Sequence, residues 1–367
     1  FLKKQEEAKK LYNILSITKG GIDDLEKEYG DDITKEELKE HKPTSKYEQI
    51  AKILILQTAR VYGEYDYKSI RDELIDGFEH YDYELNYGYN PRFEPRDKVG
   101  DDYTNGTESG YGNNKLYYGD RFSSHGTHVS GIIAASSTNK FGAKGICQNC
   151  EIMTLRTVPQ GDERDKDVAN SIRYAVNNGA KVINMSFGKS YTYRKDLVYN
   201  AIEYAKSKEV LLIHSAGNDA SNNDLKPTYP NDMNGKYNDI WIEVGASSWQ
   251  SKPKMLAEFT NYGATDVDVF SPGVAIYSTM PENTYEPEDG TSMAGPVVAG
   301  IAGVIRGYYP QLTASQVKTI IVESAISIKG RPRIPGKKRK KGARKLSATG
   351  SVVNLYTALE MAEKIAK

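Results

Sequence analysis

One short segment in the carboxyl-terminal third of the chain constrains the fold most. The loop Asp289-Gly290-Thr291-Ser292-Met293-Ala294-Gly295-Pro296 leads into residues 297–305, an apolar and uncharged run of mostly small residues. Such a run predicts a buried helix. Ser292 would then lie at the amino-terminal end of that helix, where the helix dipole favours negative charge on a nearby oxygen. An ordinary N-cap serine is the alternative interpretation of this loop.

The rest of the carboxyl-terminal two thirds alternates short apolar strands with helices. Several strands, such as residues 210–213, are apolar on both faces, which predicts a mostly parallel sheet covered by helices on both sides. The expected strands are residues 151–158, 181–187, 210–216, 242–246, 267–270 and 275–278. The expected helices are residues 126–136, 166–179, 194–207, 292–308, 313–324 and 353–366. The predicted fold class is therefore α/β, a three-layer sandwich with a mostly parallel central sheet.

Two further regions precede this sandwich. Residues 1–85 are highly charged and have apolar residues at helical spacing, which predicts helices. We expect a break at Gly20-Gly21 and a capping box at Thr34–Glu37. No residues in this region have the spacing of a catalytic motif. We interpret them as a helical insertion or a processed segment, with the catalytic domain at residues 86–367. Residues 86–124 have the composition of a loop and are rich in oxygen ligands, so a structural Ca²⁺ is compatible with them, although the EF-hand spacing is absent.

Charge and chain length exclude several classes of function. The chain has 367 residues with 49 basic and 49 acidic side chains, so its overall charge gives no attraction to nucleic acid or to a membrane. No apolar run reaches the length of a membrane span. The chain begins at Phe1 and not at Met, which indicates a processed product, and we expect a secreted or cell-envelope protein.

Three segments elsewhere in the chain complete a candidate catalytic site with Ser292. His125 lies in His125-Gly126-Thr127-His128-Val129 and is predicted to open a buried helix. Ser215-Ala216-Gly217-Asn218 and Ser186-Phe187-Gly188 each follow a predicted strand. Ligands of parallel sheets bind beyond the carboxyl ends of the strands, so these residues are expected to meet there. A serine and a histidine at such a place indicate a nucleophile and its base.

In their order along the chain, these four segments resemble those of the subtilisin-like serine proteases. The Tyr- and Asn-rich region that precedes them resembles subtilases of the Bacteroidetes type. The resemblance covers about residues 120–325 and implies a subtilisin-like fold and hydrolysis of a polypeptide substrate without a cofactor. It implies that Ser292 is the nucleophile, that His125 is the base, and that Asn218 and the amide of Ser292 form the oxyanion hole. The implied substrate-binding residues are Ser186, Phe187 (where a leucine is common), Gly188, Ala216 and Gly217. His128 and His214 match no catalytic role, so we interpret both as structural.

The carboxylate of the triad is missing from the pattern. The family places this aspartate before the histidine, at the end of an apolar strand, and no such strand is present in residues 1–124. We therefore expect a second chain, derived from upstream by processing before Phe1, to carry the catalytic aspartate and one sheet strand. A single-chain enzyme that uses Asp101 or Asp102 is an alternative. A pseudoprotease or binding scaffold with an incomplete triad is another.

The sequence has two further features, a cysteine pair and a basic segment. Cys147 and Cys150 form a CxxC pair before a predicted strand, which favours a local disulfide or an inert thiol pair over redox or metal chemistry. Residues 329–345, here called the basic loop, are interpreted as a solvent-exposed loop. Contact with an anionic polysaccharide, an acidic substrate or the partner segment is the alternative. Its basic residues are Lys329, Arg331, Arg333, Lys337, Lys338, Arg339, Lys340, Lys341, Arg344 and Lys345.

Overall fold

The computed structural model consists of two compact units, one that ends at Gly100 and one that begins at Asp101. It describes residues 2–94, 96–159, 161–251 and 253–367, without the side chains of Asp97, Asp120 and Arg121. Phe1, the expected processing boundary, lies outside the described residues. The predicted boundary of the insertion near residue 85 stays a prediction.

Helices form the amino-terminal unit, as expected from its apolar spacing. They are α1 (Leu2–Tyr29), α2 (Lys35–Glu40), α3 (Lys46–Tyr62), α4 (Tyr67–Tyr83), a π-helical turn (Glu84–Gly88) and α5 (Arg96–Val99). The predicted capping box is confirmed, since Thr34 and Glu37 bond reciprocally at the start of α2. The predicted break at Gly20-Gly21 is wrong, because α1 runs through it. A Cβ on Gly21 would lie 2.2 Å from the carbonyl oxygen of Tyr47, so glycine here permits close packing of α1 against α3.

The second unit has the predicted α/β fold. Its helices are α6 (Asp120–Ala134), α7 (Asp165–Asn177), α8 (Lys195–Ser207), α9 (Thr291–Tyr308), α10 (Ala314–Glu323) and α11 (Leu355–Ala366). Its strands are β1 (Val182–Met185), β2 (Leu211–Ser215), β3 (Trp241–Ser247), β4 (Val269–Pro272), β5 (Ile276–Thr279), β6 (Tyr285–Glu288), β7 (Ile326–Ser327) and β8 (Ser351–Val352). The main sheet has the order β1-β2-β3-β4-β8-β7 and is parallel apart from β7, while β5 and β6 form a separate hairpin. Every helix among the described residues is too short or too polar to span a membrane.

The core of this unit lies around the sheet. Strands β2 and β3 are buried at every residue, which explains why they are apolar on both faces. Helix α9 packs against strands β1 to β4 and contributes a buried face that includes Ala294, Val298 and Ile301. The buried helix predicted from residues 297–305 is therefore confirmed.

One predicted strand is absent. Residues 151–158 are assigned neither to a strand nor to a helix, and they form no backbone–backbone hydrogen bond within the described part of the chain. Ile152 and Met153 are 42% and 40% exposed although both are apolar. Strand β1 is the edge of the sheet, and three of its four residues are only partly buried. The strand predicted at residues 151–158 therefore has no backbone partner among the described residues.

Candidate active site

Ser292 is the second residue of α9, and the first turn of this helix lies against the carboxyl ends of β1 and β2. Gly295 makes this approach possible, because a Cβ there would lie 2.8 Å from Oγ of Ser215 and 3.0 Å from Oδ1 of Asn184. Oγ of Ser215 also donates to the carbonyl of Thr291 at 2.8 Å. The small residues before and within the predicted helix therefore place Ser292 at the edge of the sheet where ligands of parallel sheets bind.

Ser186 lies directly beside Ser292. Oγ of Ser292 donates to the carbonyl oxygen of Ser186 at 3.3 Å, and Oγ of Ser186 donates to the carbonyl oxygen of Ser292 at 2.9 Å. This pair of bonds connects α9 to the segment that follows β1. The structure thus brings together two of the segments that the sequence analysis assigned to one site.

Asn218 and the amide of Ser292 border one small space. Oδ1 of Asn218 accepts hydrogen bonds from the amide and from Oγ1 of Thr291, both at 2.9 Å, which turns its Nδ2 group away from Thr291. Among the described residues neither this Nδ2 group nor the amide of Ser292, in the first turn of α9, has an acceptor. A Cβ on Gly290 would lie 3.5 Å from the Ser292 nitrogen and 3.7 Å from Nδ2 of Asn218. An anionic oxygen in this space would receive two hydrogen bonds.

His125 lies in α6, which packs against α9. The helix begins at Asp120, so His125 belongs to its second turn, and the prediction that it opens the helix is wrong. Within the described residues no hydrogen bond joins His125 to Ser292. The ring is exposed to solvent. It is nevertheless crowded by protein, and this partial desolvation lowers the pKa of His125, although the negative charge of Glu288 acts in the opposite direction. A neutral imidazole is the form that accepts a proton from a serine.

Glu288 is the acidic neighbour of His125 that sequence reasoning missed. It ends β6, and Oε2 of Glu288 lies 3.9 Å from Nδ1 of the buried His128. The β5–β6 hairpin folds back onto α6, where Oγ of Ser278 donates to the carbonyl of His128. Nothing in the local sequence around Glu288 indicates this approach, because it depends on a hairpin that pairs residues far from the histidine.

Asp101 and Asp102, the alternative carboxylates, are engaged elsewhere. The buried carboxylate of Asp101 pairs with Nζ of Lys166 at 2.9 Å. Asp102 accepts from the amide of Thr104 at 2.9 Å and from its hydroxyl at 2.6 Å, and these hydrogen bonds lower the pKa of Asp102. In the described residues neither carboxylate is hydrogen-bonded to His125. The geometry therefore gives no support to a triad that uses either of them.

The predicted substrate-binding residues do not all reach the surface. Phe187 and Gly188 are accessible, and the Phe187 ring packs edge-on against the buried His214 ring at 6.5 Å between centroids. Gly217 has a φ of 104°, and a Cβ there would lie 2.5 Å from Nδ2 of Asn261, so only glycine fits. Ala216 is fully buried and its carbonyl accepts from Asn261 at 2.9 Å. Ala216 therefore supports its neighbours and does not itself line a cleft.

His214 lies beneath this segment in a polar cluster of its own. Its Nδ1 is 2.9 Å from Oε1 of Glu243, whose other oxygen accepts from Nε1 of Trp241 at 2.8 Å. Burial acts to lower the pKa of His214, but the charge and hydrogen bond of Glu243 outweigh it, and the pKa is raised. A histidine fixed in this way, with no access to Ser292, agrees with the structural role predicted for it.

The model that describes the subtilase family matches residues 44–352. The chain belongs to the subtilase family. It is 39% identical over 182 residues to a thermophilic serine proteinase of Bacillus sp. (strain AK1), which covers 49% of this chain and 42% of that protein. It is 35% identical over 206 residues to subtilisin DY of Bacillus licheniformis, which covers 56% of this chain and 71% of the relative.

Solved structures show the same family relationship. A protease of Pseudoalteromonas arctica superposes with a TM-score of 0.53 and 26% identity, over 65% of this chain and 70% of that one. The subtilase family consists of serine endopeptidases, so the enzyme class expected from the sequence is confirmed. The individual residue roles stay predictions that rest on the geometry described above.

The last two features of this region are the cysteine pair, which forms a local disulfide, and the predicted metal site. Cys147 and Cys150 form a disulfide with 5.4 Å between their Cα atoms, in agreement with the local pairing expected. It packs against α9, where a Cβ on Gly303 would lie 2.5 Å from Sγ of Cys150. The parts of the chain that the structure describes contain no group of three or more His, Cys, Asp or Glu side chains placed to hold a metal ion. A structural Ca²⁺ stays a prediction.

Proposed function

We propose that this chain supplies the nucleophile, the base and the oxyanion donors of a serine endopeptidase that cleaves extended polypeptide segments. The observation that supports this most directly is the convergence of three groups at the start of α9. They are Oγ of Ser292, the amide of Ser292 and Nδ2 of Asn218, and the two donors border one space. The Ser186–Gly188 segment beside Ser292 offers accessible backbone to an extended peptide.

The mechanism follows from these positions. Oγ of Ser292 attacks the carbonyl carbon of the scissile bond, and His125 accepts its proton. The oxyanion that forms is held by the amide of Ser292 and by Asn218. His125 then donates the proton to the leaving amine, and water hydrolyses the acyl-enzyme by the same steps in reverse. For the proton transfer, Oγ of Ser292 must form a hydrogen bond with His125 that is not present in the described residues, where this oxygen donates to the carbonyl of Ser186.

In this proposal, a polypeptide segment outside these 367 residues supplies the catalytic carboxylate and one sheet strand. Processing then leaves that segment as a separate chain. The edge of β1 and residues 151–158 support this proposal, because within the described residues neither has a strand partner on its open side, and apolar side chains such as Ile152 and Met153 are partly exposed. An exposed, unpaired strand edge is a template for pairing with another strand. Arg156, in the middle of the unpaired segment, donates to the carbonyl of Phe122 at 2.7 Å. A strand beside it would therefore pass close to the helix that carries His125.

A two-part experiment tests this proposal. The protein isolated from its source is first analysed by mass spectrometry under denaturing conditions, and we expect a second polypeptide beside the 40.9 kDa chain. A fully active single component of 40.9 kDa would overturn the separate carboxylate. A longer single chain that contains these residues would overturn only the processing step. The two polypeptides are then separated, which should abolish proteolysis. Recombining them should restore it.

Labelling with a fluorophosphonate tests the nucleophile independently. Ser292→Ala should abolish labelling of the recombined protein, while Ser207→Ala, an exposed serine at the end of α8, should leave it unchanged. Failure of the recombined protein to react under conditions that label a subtilisin would favour the pseudoprotease. Asp101→Asn and Asp102→Asn should leave kcat within the range of the parent enzyme. A loss of about 10⁴ in kcat would instead identify one of them as the triad acid.

A location outside the cytoplasm is part of this proposal. The Cys147–Cys150 disulfide supports it, since disulfides persist in oxidising compartments. Expression of a tagged protein followed by fractionation would test it, and recovery of the reduced protein from the cytoplasm alone would contradict it.

A further inference from the structure

The basic loop, residues 329–345, concentrates the positive charge of the protein in one place. Ten of its seventeen residues are Lys or Arg and none is acidic, so the other 350 residues hold 39 basic and 49 acidic side chains. The loop thus carries a charge of +10 and the rest of the chain −10, although the net charge is zero. All ten side chains except Arg333 are exposed. Among the described residues the ion pairs of the loop are limited to Arg333 with Glu258, at 4.0 Å.

This loop has a defined structure. Arg333 and Lys340 pair as an antiparallel bridge, and the amide of Ile334 donates to the carbonyl of Arg339 at 2.8 Å. Ile334 and Leu346 are buried in an apolar cluster with Tyr262 and Phe270, which anchors the hairpin to the end of the main sheet. The charged side chains are therefore presented on a fixed support, and little ordering entropy opposes their binding to a partner.

The composition of the loop indicates which partners it can recognise. Its seven remaining residues are three glycines, two prolines, one isoleucine and one alanine. It has no aromatic ring on which a nucleic-acid base or a sugar could stack, so its recognition groups are the guanidinium and ammonium groups of its Arg and Lys side chains. Both groups bind phosphate oxygens, which suits a field of phosphate groups without fixed order.

A turn that is hydrogen-bonded to the basic loop carries an exposed tryptophan. Trp249 is 78% exposed, in a turn closed by a hydrogen bond from the amide of Ser248 to the carbonyl of Met255 at 2.7 Å. The same turn is joined to the basic loop, because the amide of Arg333 donates to the carbonyl of Pro253 at 2.9 Å. Tryptophan side chains prefer the interface between lipid and water, and clusters of Lys and Arg are attracted to anionic headgroups.

We propose that the basic loop and Trp249 form a docking surface for a lipid bilayer rich in anionic phospholipids. The charged side chains would contact the phosphate groups, and the indole of Trp249 would enter the interface, so that the protein is held at the membrane without crossing it. This surface does not include any residue of the candidate active site. Its function therefore does not depend on the proposed protease activity.

Sedimentation with vesicles tests the proposal on the full protein. We expect binding to vesicles of phosphatidylglycerol and phosphatidylcholine at about 0.1 M salt, weak binding at about 1 M salt, and none to pure phosphatidylcholine. Substitution of Lys338, Arg339, Lys340 and Lys341 by glutamine should weaken binding about 600-fold, since each of these four basic residues near the surface contributes about fivefold. Equal binding to both kinds of vesicle, or unchanged binding of this variant, would overturn the proposal.

Two further variants separate charge from lipid recognition. Substitution of Lys3, Lys4, Lys9 and Lys10, exposed residues of α1, by glutamine changes the net charge equally and should leave binding intact. A similar loss in this control would show that net charge and not the basic loop is responsible, which overturns the proposal. Trp249→Ala should weaken vesicle binding several-fold without altering retention on heparin. Retention on heparin without vesicle binding by the parent protein would assign the loop to a soluble polyanion and overturn the lipid assignment.

Discussion

Replacement of Gly290 by alanine would place a methyl group in the space that the two oxyanion donors border. Its Cβ would lie 3.5 Å from the amide nitrogen of Ser292, 3.7 Å from Nδ2 of Asn218 and 3.4 Å from Sδ of Met293. These are ordinary van der Waals contacts, so no neighbour must move. The φ of Gly290 is 162°, an extended conformation that alanine adopts without strain. We therefore expect the variant to fold normally and to exclude the oxyanion from its donors.

The size of the effect follows from what the methyl group displaces. An oxygen that cannot enter the space loses at least one of its two hydrogen bonds. In subtilisin itself, removal of one such donor costs about 2.7–4 kcal/mol of transition-state stabilisation, or 10² to 10³ in kcat. We expect Gly290→Ala to reduce kcat by at least this factor. KM should change much less, because the substrate carbonyl carries little charge before the attack.

The assay compares kcat and KM for a peptide substrate with the midpoint of thermal unfolding. Gly307→Ala is the matched control, since Gly307 lies in the same helix and a Cβ there would meet no atom within 4 Å. This control should keep full activity. Parental kcat in Gly290→Ala would refute the placement of the oxyanion site. A large loss of thermal stability in Gly290→Ala would instead refute the contact distances on which the argument rests.

Three other perturbations probe the surroundings of the site. Thr291→Val removes one of the two hydrogen bonds to the Asn218 amide, so kcat should fall while Thr291→Ser, which keeps the hydroxyl, retains activity. Lys318→Met removes the buried ammonium that pairs with Asp268 at 2.9 Å, and urea unfolding should show a loss of about 3–5 kcal/mol, partly restored when Asp268→Asn is added. Because the pKa of His214 is raised, its contribution to stability is present at pH below its unfolded pKa and is lost as pH rises through the folded pKa. The unfolding free energy should therefore fall over that pH range in the parent protein but not in Glu243→Gln, and an equal fall in both would contradict this origin.

Much of the fold follows from local sequence patterns. The parallel sheet was predictable because residues 211–213 of β2 are apolar on both faces, which indicates burial between two helical layers. The break predicted at Gly20-Gly21 failed for a non-local reason. Glycine weakens a helix by about 1 kcal/mol, but here it permits a contact with α3 that a longer side chain would prevent. The gain from tertiary packing outweighs the local propensity.

The sequence indicated which segments would meet at the candidate site, but not the geometry of their side chains. Positions after β1 and β2 indicated that Ser186 and Asn218 would lie near one another, since parallel strands end at one edge. The orientation of the Asn218 amide depends on Thr291, which the sequence pattern did not connect to it. The approach of Glu288 to His125 depends on the β5–β6 hairpin. Contacts of this kind arise from the arrangement of distant segments, and no local period encodes them.

The proposed strand and carboxylate would act on neighbouring parts of this unit. Within the described residues, residues 151–158 form no backbone–backbone hydrogen bond, and β1 lies at the edge of the sheet. Arg156 connects the unpaired segment to Phe122, one turn before His125 in α6. A strand that paired with this segment and ended in a carboxylate would cover apolar surface and bring a negative charge to the catalytic histidine in the same step. That charge would raise the pKa of His125, which desolvation now lowers, so stability and proteolytic activity should be gained together.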